Sequence, residues 1–210
     1  MGTSIIACGA LGPSIREISS RRGWDVEIHL LPSLLHNRPA GIAPRVERLA
    51  DELQARGDRV VLAYADCGTY GALDELCARR GMRRLGGLHC YDVFAGASAM
   101  ERIFEREPGT YVLTDFLVRS FRSSVLRELG LDVHPELWPD YFAHYKKVVW
   151  LAQDPTSELR DEARAVAAMF DLPLDEVWVG TGSLEVELEQ MIVGSTAVSD
   201  PVSLDVQVTG

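Results

Sequence analysis

The chain has no apolar run approaching the ~20 residues that a bilayer-spanning helix needs, and its amino terminus lacks the basic, apolar and small-residue order of a secretory signal. A cytoplasmic protein without a membrane partner is therefore expected. Positive charge is also in short supply: 21 Lys and Arg stand against 31 Asp and Glu, leaving a formal charge of −10. That balance removes the non-specific attraction on which binding to nucleic acid or an anionic membrane rests, so the partner expected is a small molecule or another protein. Cysteine is scarce, with four in 210 residues and no CxxC spacing. In a reducing cytosol, four such residues read as thiols, metal ligands or catalytic groups and not as a disulfide framework. Neither a P-loop nor a dinucleotide fingerprint is present, which leaves no ground for ATP or NAD.

What the chain does have is organised around Arg59 to Gly71, RVVLAYADCGTYG. Val60 to Tyr64 form a near-continuous apolar segment, the pattern of a strand buried on both faces of a parallel sheet. The segment stops at Asp66, Cys67 and Gly68. Two other strand-like runs end alike: Ser4 to Ala7 leads into Cys8-Gly9, and Leu85 to Leu88 leads into His89-Cys90. Between these runs lie helical segments with apolar residues at three- and four-residue spacing, such as Ala43–Ala55 and Ser157–Phe170. Further strands are expected at Trp24–Leu31, as an edge strand, and at Gly109–Leu113, Lys147–Leu151 and Asp175–Val179. Asp132–Tyr145, with its prolines, histidines and aromatics, reads as an irregular helical cover, and Gly180 to Ser183 as a turn that could hold an anion. The alternation predicts an α/β fold with a doubly wound, mainly parallel sheet and helices on both faces. A single domain is expected over residues 1–194, with 195–210, rich in Ser, Thr, Val and Asp, as a disordered tail.

In open α/β sheets, ligands bind outside the carboxyl ends of the strands, so three thiols placed there are positioned for chemistry. Cys8, Cys67 and Cys90 can meet at one edge from distant positions, and three thiolates suit Zn²⁺ or an iron–sulfur cluster while leaving one position open. His36 or His89 could supply a fourth ligand. The plainer alternative makes each cysteine a small apolar core residue, and that is the expectation for Cys77, flanked at helical spacing by Leu73, Leu76 and Arg80. Asp66 and Asp115 sit at strand ends as candidate acids, or as caps of the helices that follow. The loop LPSLLHNRPAGIAP after the second strand offers His36 as a catalytic imidazole, with Asn37 and Arg38 to hold substrate; Arg38 suits a carboxylate. Tyr91 and Gln153 complete the candidate substrate contacts. His134 and His144 are read as packing or surface residues, and His29 as solvated.

The segments CGAL at Cys8, LPSLLHNRP at His36, YADCG at Cys67, HCYDVFAG at Cys90, LTDFLVRSF at Asp115 and LGLDVHPEL at His134 occur in one order. Together they resemble the family catalogued as domain of unknown function 1638, from about Ile5 to Gly182. Tyr70 and the residues beyond Gly194 stand apart from the pattern. The resemblance implies membership without a settled activity, together with a one-carbon or methylamine setting, since members are often encountered beside corrinoid-dependent methyltransferase systems. Three functions fit these features. The first is a metal-dependent enzyme acting on a small molecule, with zinc or a cluster on the three cysteines. The second is a cofactor-independent isomerase, in which two cysteines act as acid and base, because ADCGT and LHCYD bear some similarity to the cysteine turns of aspartate/glutamate racemases. The third is a non-catalytic metal or corrinoid carrier serving a methyltransferase partner.

Overall fold

A computed structural model of the chain describes residues 2–194; the expected tail lies outside the described residues. The α/β class holds, with every strand pairing parallel, but the strands divide between a four-stranded and a three-stranded sheet. Each sheet belongs to its own compact unit, one built from residues up to 97 and from 181 onward, the other from residues 98–180.

The first unit begins with β1 (Thr3–Cys8), α1 (Gly12–Arg22), β2 (Val26–Leu31), α2 (Ile42–Ala55) and β3 (Arg59–Ala63). It continues with α3 (Ala72–Arg80), the two-residue β4 (Arg83–Arg84) and α4 (Cys90–Ala95). Strand order is β2-β1-β3-β4, so β2 is an edge and the order reverses beside β1. Ile5, Ile6 and Ala7 of β1 and Leu62 and Ala63 of β3 are wholly buried, as the unbroken apolar runs require. At about 1.5–3 kcal/mol for each large aliphatic side chain, this burial fixes both strands in the centre of the sheet. The expected strand at Leu85–Leu88 is not formed. Pairing with β3 stops at Arg84, apart from one bond from Leu85 N–H to the Leu62 carbonyl (3.1 Å), because Gly87 turns the chain with φ at +82°.

The chain then passes through α5 (Ala97–Arg106), β5 (Thr110–Thr114), α6 (Asp115–Phe121), α7 (Trp138–Phe142), β6 (Lys147–Ala152), α8 (Ser157–Phe170) and β7 (Leu174–Trp178). Between Cys90 and Arg106 the helical chain is divided into α4 and α5 by Gly96 (φ +82°). After α6 the chain widens into a π-helical stretch at Arg122–Leu126. The aromatic cover segment is part of the second unit's core: Trp138, Phe142 and Tyr145 pack with Tyr111, Phe121 and Phe170 at ring separations of 4.5–6.3 Å. His134 and His144 are exposed.

The last helix, α9 (Leu184–Val193), returns to the first unit. Arg21 and Arg22 at the end of α1 pair with Glu185 and Glu189, while Arg83 donates to the Gln190 carbonyl (3.1 Å) and Arg59 to that of Ile192 (2.7 Å). Guanidinium groups thus cover carbonyls at the carboxyl end of the helix, where the helix dipole favours positive charge. The Gly180–Ser183 turn serves this seating. Ser183 Oγ donates to the Val93 carbonyl (2.8 Å), and Gly182 (φ +52°) comes so close to α4 that a Cβ there would lie 1.9 Å from the Phe94 oxygen.

Gly182→Ala should therefore destabilise the protein by about 3 kcal/mol through overpacking against a backbone that cannot yield. Gly23→Ala, at φ +63° with open space around it, should cost only about 1 kcal/mol. The midpoints of urea unfolding for the two variants check the difference.

Candidate functional site

Sheet order places the carboxyl ends of β1, β3 and β4 side by side; Cys8 is the last residue of β1, and Cys67 and Cys90 lie in the segments that follow β3 and β4. Past the last rung of the sheet, two backbone bonds lace the second and third segments together: Asp66 N–H to the Gly87 carbonyl (3.1 Å) and Cys67 N–H to that of Leu88 (2.8 Å). A carboxylate holds the turn on each side. Asp66 accepts from Thr69 Oγ1 (2.9 Å), Tyr70 N–H (3.1 Å) and Gly71 N–H (2.9 Å), closing a loop in which Cys67, Gly68, Tyr70 and Gly71 all have positive φ. Asp92, at the third position of α4, accepts from Leu88 N–H (2.8 Å) and His89 N–H (2.9 Å), as the acid of a capping box does. Glu187 of α9 takes Gly86 N–H at 2.7 Å.

The result is contact among the thiols. Cys67 Sγ and Cys90 Sγ are 3.5 Å apart, and the Cys8 thiol lies near enough to Cys90 to perturb it. Cys77, in α3, is a buried thiol pushed up to about 11 by that burial. Cys8 is 2 % exposed and lies where β1 turns into α1. Its pKa is lowered to about 7, first by the Cys90 thiol, then by the N–H groups of Ala10 and Leu11 and the Tyr64 hydroxyl; burial opposes these and is outweighed. Cys90 shifts the other way, well above the ordinary thiol value, because it donates to Cys67 and Cys8 and is itself desolvated. Cys8 and Cys90 are thus driven apart: Cys8 is drawn towards ionisation, and Cys90 holds its hydrogen. Burial, followed by the neighbouring sulfurs, drives the Tyr64 phenol well above its usual range, so its hydroxyl remains a donor.

The other candidate residues are distributed as follows. Asp66 commits both carboxylate oxygens to its own loop, and although burial opposes ionisation, those donors bring its pKa below the usual value. Its role is to shape the Cys67 turn. The loop carrying His36, Asn37 and Arg38 does reach the edge: Gly9 N–H bonds to the Leu31 carbonyl (2.9 Å), and a Cβ at Gly68 would stand 3.2 Å from Pro39 Cγ. All three side chains are exposed, and His36 Nδ1 is bonded to the Ser33 carbonyl at 2.6 Å within its own 3₁₀ turn. His89 is exposed, with its ring 4.8 Å from that of half-buried Tyr91. Among the described residues, no group of three or more His, Cys, Asp or Glu side chains is placed so that it could hold a metal ion.

Asp115 and Gln153 belong to the second unit. Asp115 accepts from Trp150 Nε1 (2.9 Å), Gln153 N–H (3.1 Å) and Asp154 N–H (2.8 Å), and its own N–H donates to Gln153 Oε1 (2.8 Å). This buried network ties the end of β5 to the end of β6. The helix cap expected of Asp115 is instead Thr114, whose Oγ1 accepts from Leu117 N–H (3.4 Å). Three residues of the thiol edge escape a reading of the sequence: Tyr64, Asp92 and Glu187. Asp92 carries a local signal, an acid three residues after the position that starts the helix. Tyr64 is disguised as one more member of an apolar run, and nothing local marks Glu187.

Because the Cys8 pKa is lowered to about 7, the ultraviolet thiolate absorbance of the metal-free protein should show a step near pH 7. Cys8→Ser should abolish that step, whereas Cys77→Ser should leave it in place.

A family model described as "Protein of unknown function (DUF1638)" matches residues 30–188, a span that includes Cys67 and Cys90 and begins after Cys8. No curated protein and no solved structure shows significant similarity. The match covers well over half of the 210 residues, and the chain therefore belongs to the DUF1638 family of proteins of unknown function.

Proposed function

We propose that Cys8, Cys67 and Cys90 form a soft-metal site, with zinc as the preferred ion, at which the protein acts as an enzyme on a small molecule. The observation that carries this reading is the convergence of three sulfurs from three strand ends, with Cys67 and Cys90 already 3.5 Å apart. Sulfurs around one tetrahedral zinc stand about 3.8 Å apart, a spacing close to that of Cys67 and Cys90; holding an ion would also require the thiol protons to leave and the side chains, that of Cys8 among them, to rotate inward. Bound there, the ion would supply Lewis-acid chemistry at its remaining position. The residues of the chain do the rest. Asp66 and Asp92 keep the two cysteine turns in register, and Cys8 is drawn towards the thiolate that a metal binds. The exposed imidazoles of His36 and His89 and the guanidinium of Arg38 lie on flexible side chains, where a fourth ligand or a substrate carboxylate can be met.

An iron–sulfur cluster uses the same thiolates and is distinguished by its colour. The contact between Cys67 and Cys90 weighs against the isomerase reading, because an acid and a base acting on opposite faces of a carbon need the substrate between them. All four cysteines are free, in keeping with a reducing, cytoplasmic setting, and no helix among the described residues is long and apolar enough to cross a membrane. The one-carbon or methylamine setting, with a corrinoid or methyltransferase partner, rests on the associations of the family.

The test is a panel of Cys8→Ser, Cys67→Ser, Cys90→Ser and Cys77→Ser, purified anaerobically and measured for bound metal by elemental analysis. The first three should lose metal alike, since a hydroxyl replaces a soft thiolate poorly, and Cys77→Ser should retain it. Loss of a ligand held at a thousandfold over its Kd removes about 4 kcal/mol, a fall in Tm on the order of 10 °C. That fall should vanish when all proteins are compared in chelator. Equal metal content across the four variants would defeat the proposal.

A further inference from the structure

Tyr64 directly follows β3, and its side chain is 1 % exposed, yet its hydroxyl makes no hydrogen bond of regular geometry, although it lies within reach of the Cys8 sulfur. Buried hydroxyls are rarely left in this condition. The groups around it are the sulfurs of Cys8, Cys90 and Cys67. A protonated thiol is a weak acceptor, whereas a thiolate accepts a strong, charge-assisted bond. The hydroxyl is therefore unsatisfied while the three cysteines are thiols and acquires a partner when one of them is ionised. Of the three sulfurs, Cys8 is the one that meets the hydroxyl side chain to side chain, where β1 turns into α1.

We infer that Tyr64 is a positioning residue of the thiol site, built to donate its hydroxyl hydrogen to the Cys8 sulfur when that sulfur is a metal-bound thiolate. The inference rests on the metal reading above and deepens it by adding an outer partner for a first ligand. Such partners orient a ligand and hold it in the state that binds. In loading, the Cys8 proton leaves to solvent and the sulfur bonds to the ion. Tyr64 keeps its proton and shares it with the sulfur, so no group is oxidised or reduced. Phenylalanine would fill the same space without the donor.

The experiment compares the full-length wild type with Tyr64→Phe, using Zn²⁺ in competition with a chromophoric chelator and Co²⁺ as a spectroscopic probe. Tyr64→Phe should bind Zn²⁺ 10- to 100-fold more weakly. Its Tm in chelator should be unchanged or higher, because an unpaired hydroxyl has been removed. The sulfur-to-Co²⁺ charge-transfer band should move to lower energy, since a thiolate relieved of a hydrogen bond gives up its electrons more easily. Equal Zn²⁺ affinity in the two proteins would overturn the inference. Weaker binding with an unmoved band would also overturn it, by showing that the ring acts through packing alone. Wild type that binds neither ion would remove the metal reading itself, and the role of Tyr64 with it.

Discussion

Two backbone hydrogen bonds, from Asp66 N–H to the Gly87 carbonyl and from Cys67 N–H to that of Leu88, are what the thiol edge depends on. β4 is only two residues long, too short to hold a following loop in place by sheet pairing. Once the ladder ends, the chain would be free to diverge, as connecting loops ordinarily do. These two bonds carry the pairing past the end of the sheet, and they bring Cys67 and Cys90 from 23 residues apart into contact. Each turn is then closed from within by one carboxylate, Asp66 on one side and Asp92 on the other.

Such a construction is costly in local conformation. Cys67 and Tyr70 both adopt positive φ without being glycine, a state that L-residues occupy rarely outside turns and functional sites. Tyr70 is 97 % exposed and Leu88 69 % exposed, so the tips of the two turns gain nothing from burial. What holds them is the accumulation of hydrogen bonds to buried carboxylates, each stronger for involving a charged acceptor. The strain is local to the residues that place the sulfur atoms.

Support arrives from the far end of the chain as well. Glu187 pins Gly86, Ser183 meets Val93, and the arginines of α1, β3 and β4 hold the body of α9. The segment from 85 to 95 therefore has no independent existence as a folded element. It is held between the Cys67 turn and a helix that comes nearly a hundred residues later. A change in α9 can reach the thiols by this route without touching them.

Local pattern determined much of this protein. Apolar runs identified the buried strands, the helix Ser157–Phe170 has the ends that its periodicity implied, and the α/β class with parallel strands followed from their alternation. Cys8 and Cys67 could be singled out because a strand buried on both faces shows as an uninterrupted run whose end is visible in one dimension, whereas Cys90 was reached from a run at Leu85–Leu88 that forms no strand. The division of the strands between two sheets was not legible, because the same run fits any parallel neighbour and only pairing decides which. Nor was the work of Asp66 and Asp115, since a carboxylate at a strand end looks the same whether it faces a ligand or the N–H groups of its own turn. Tyr64 shows the limit most plainly: its ring belongs to the apolar pattern, while its hydroxyl acquires meaning only from three sulfurs that the tertiary structure gathers around it.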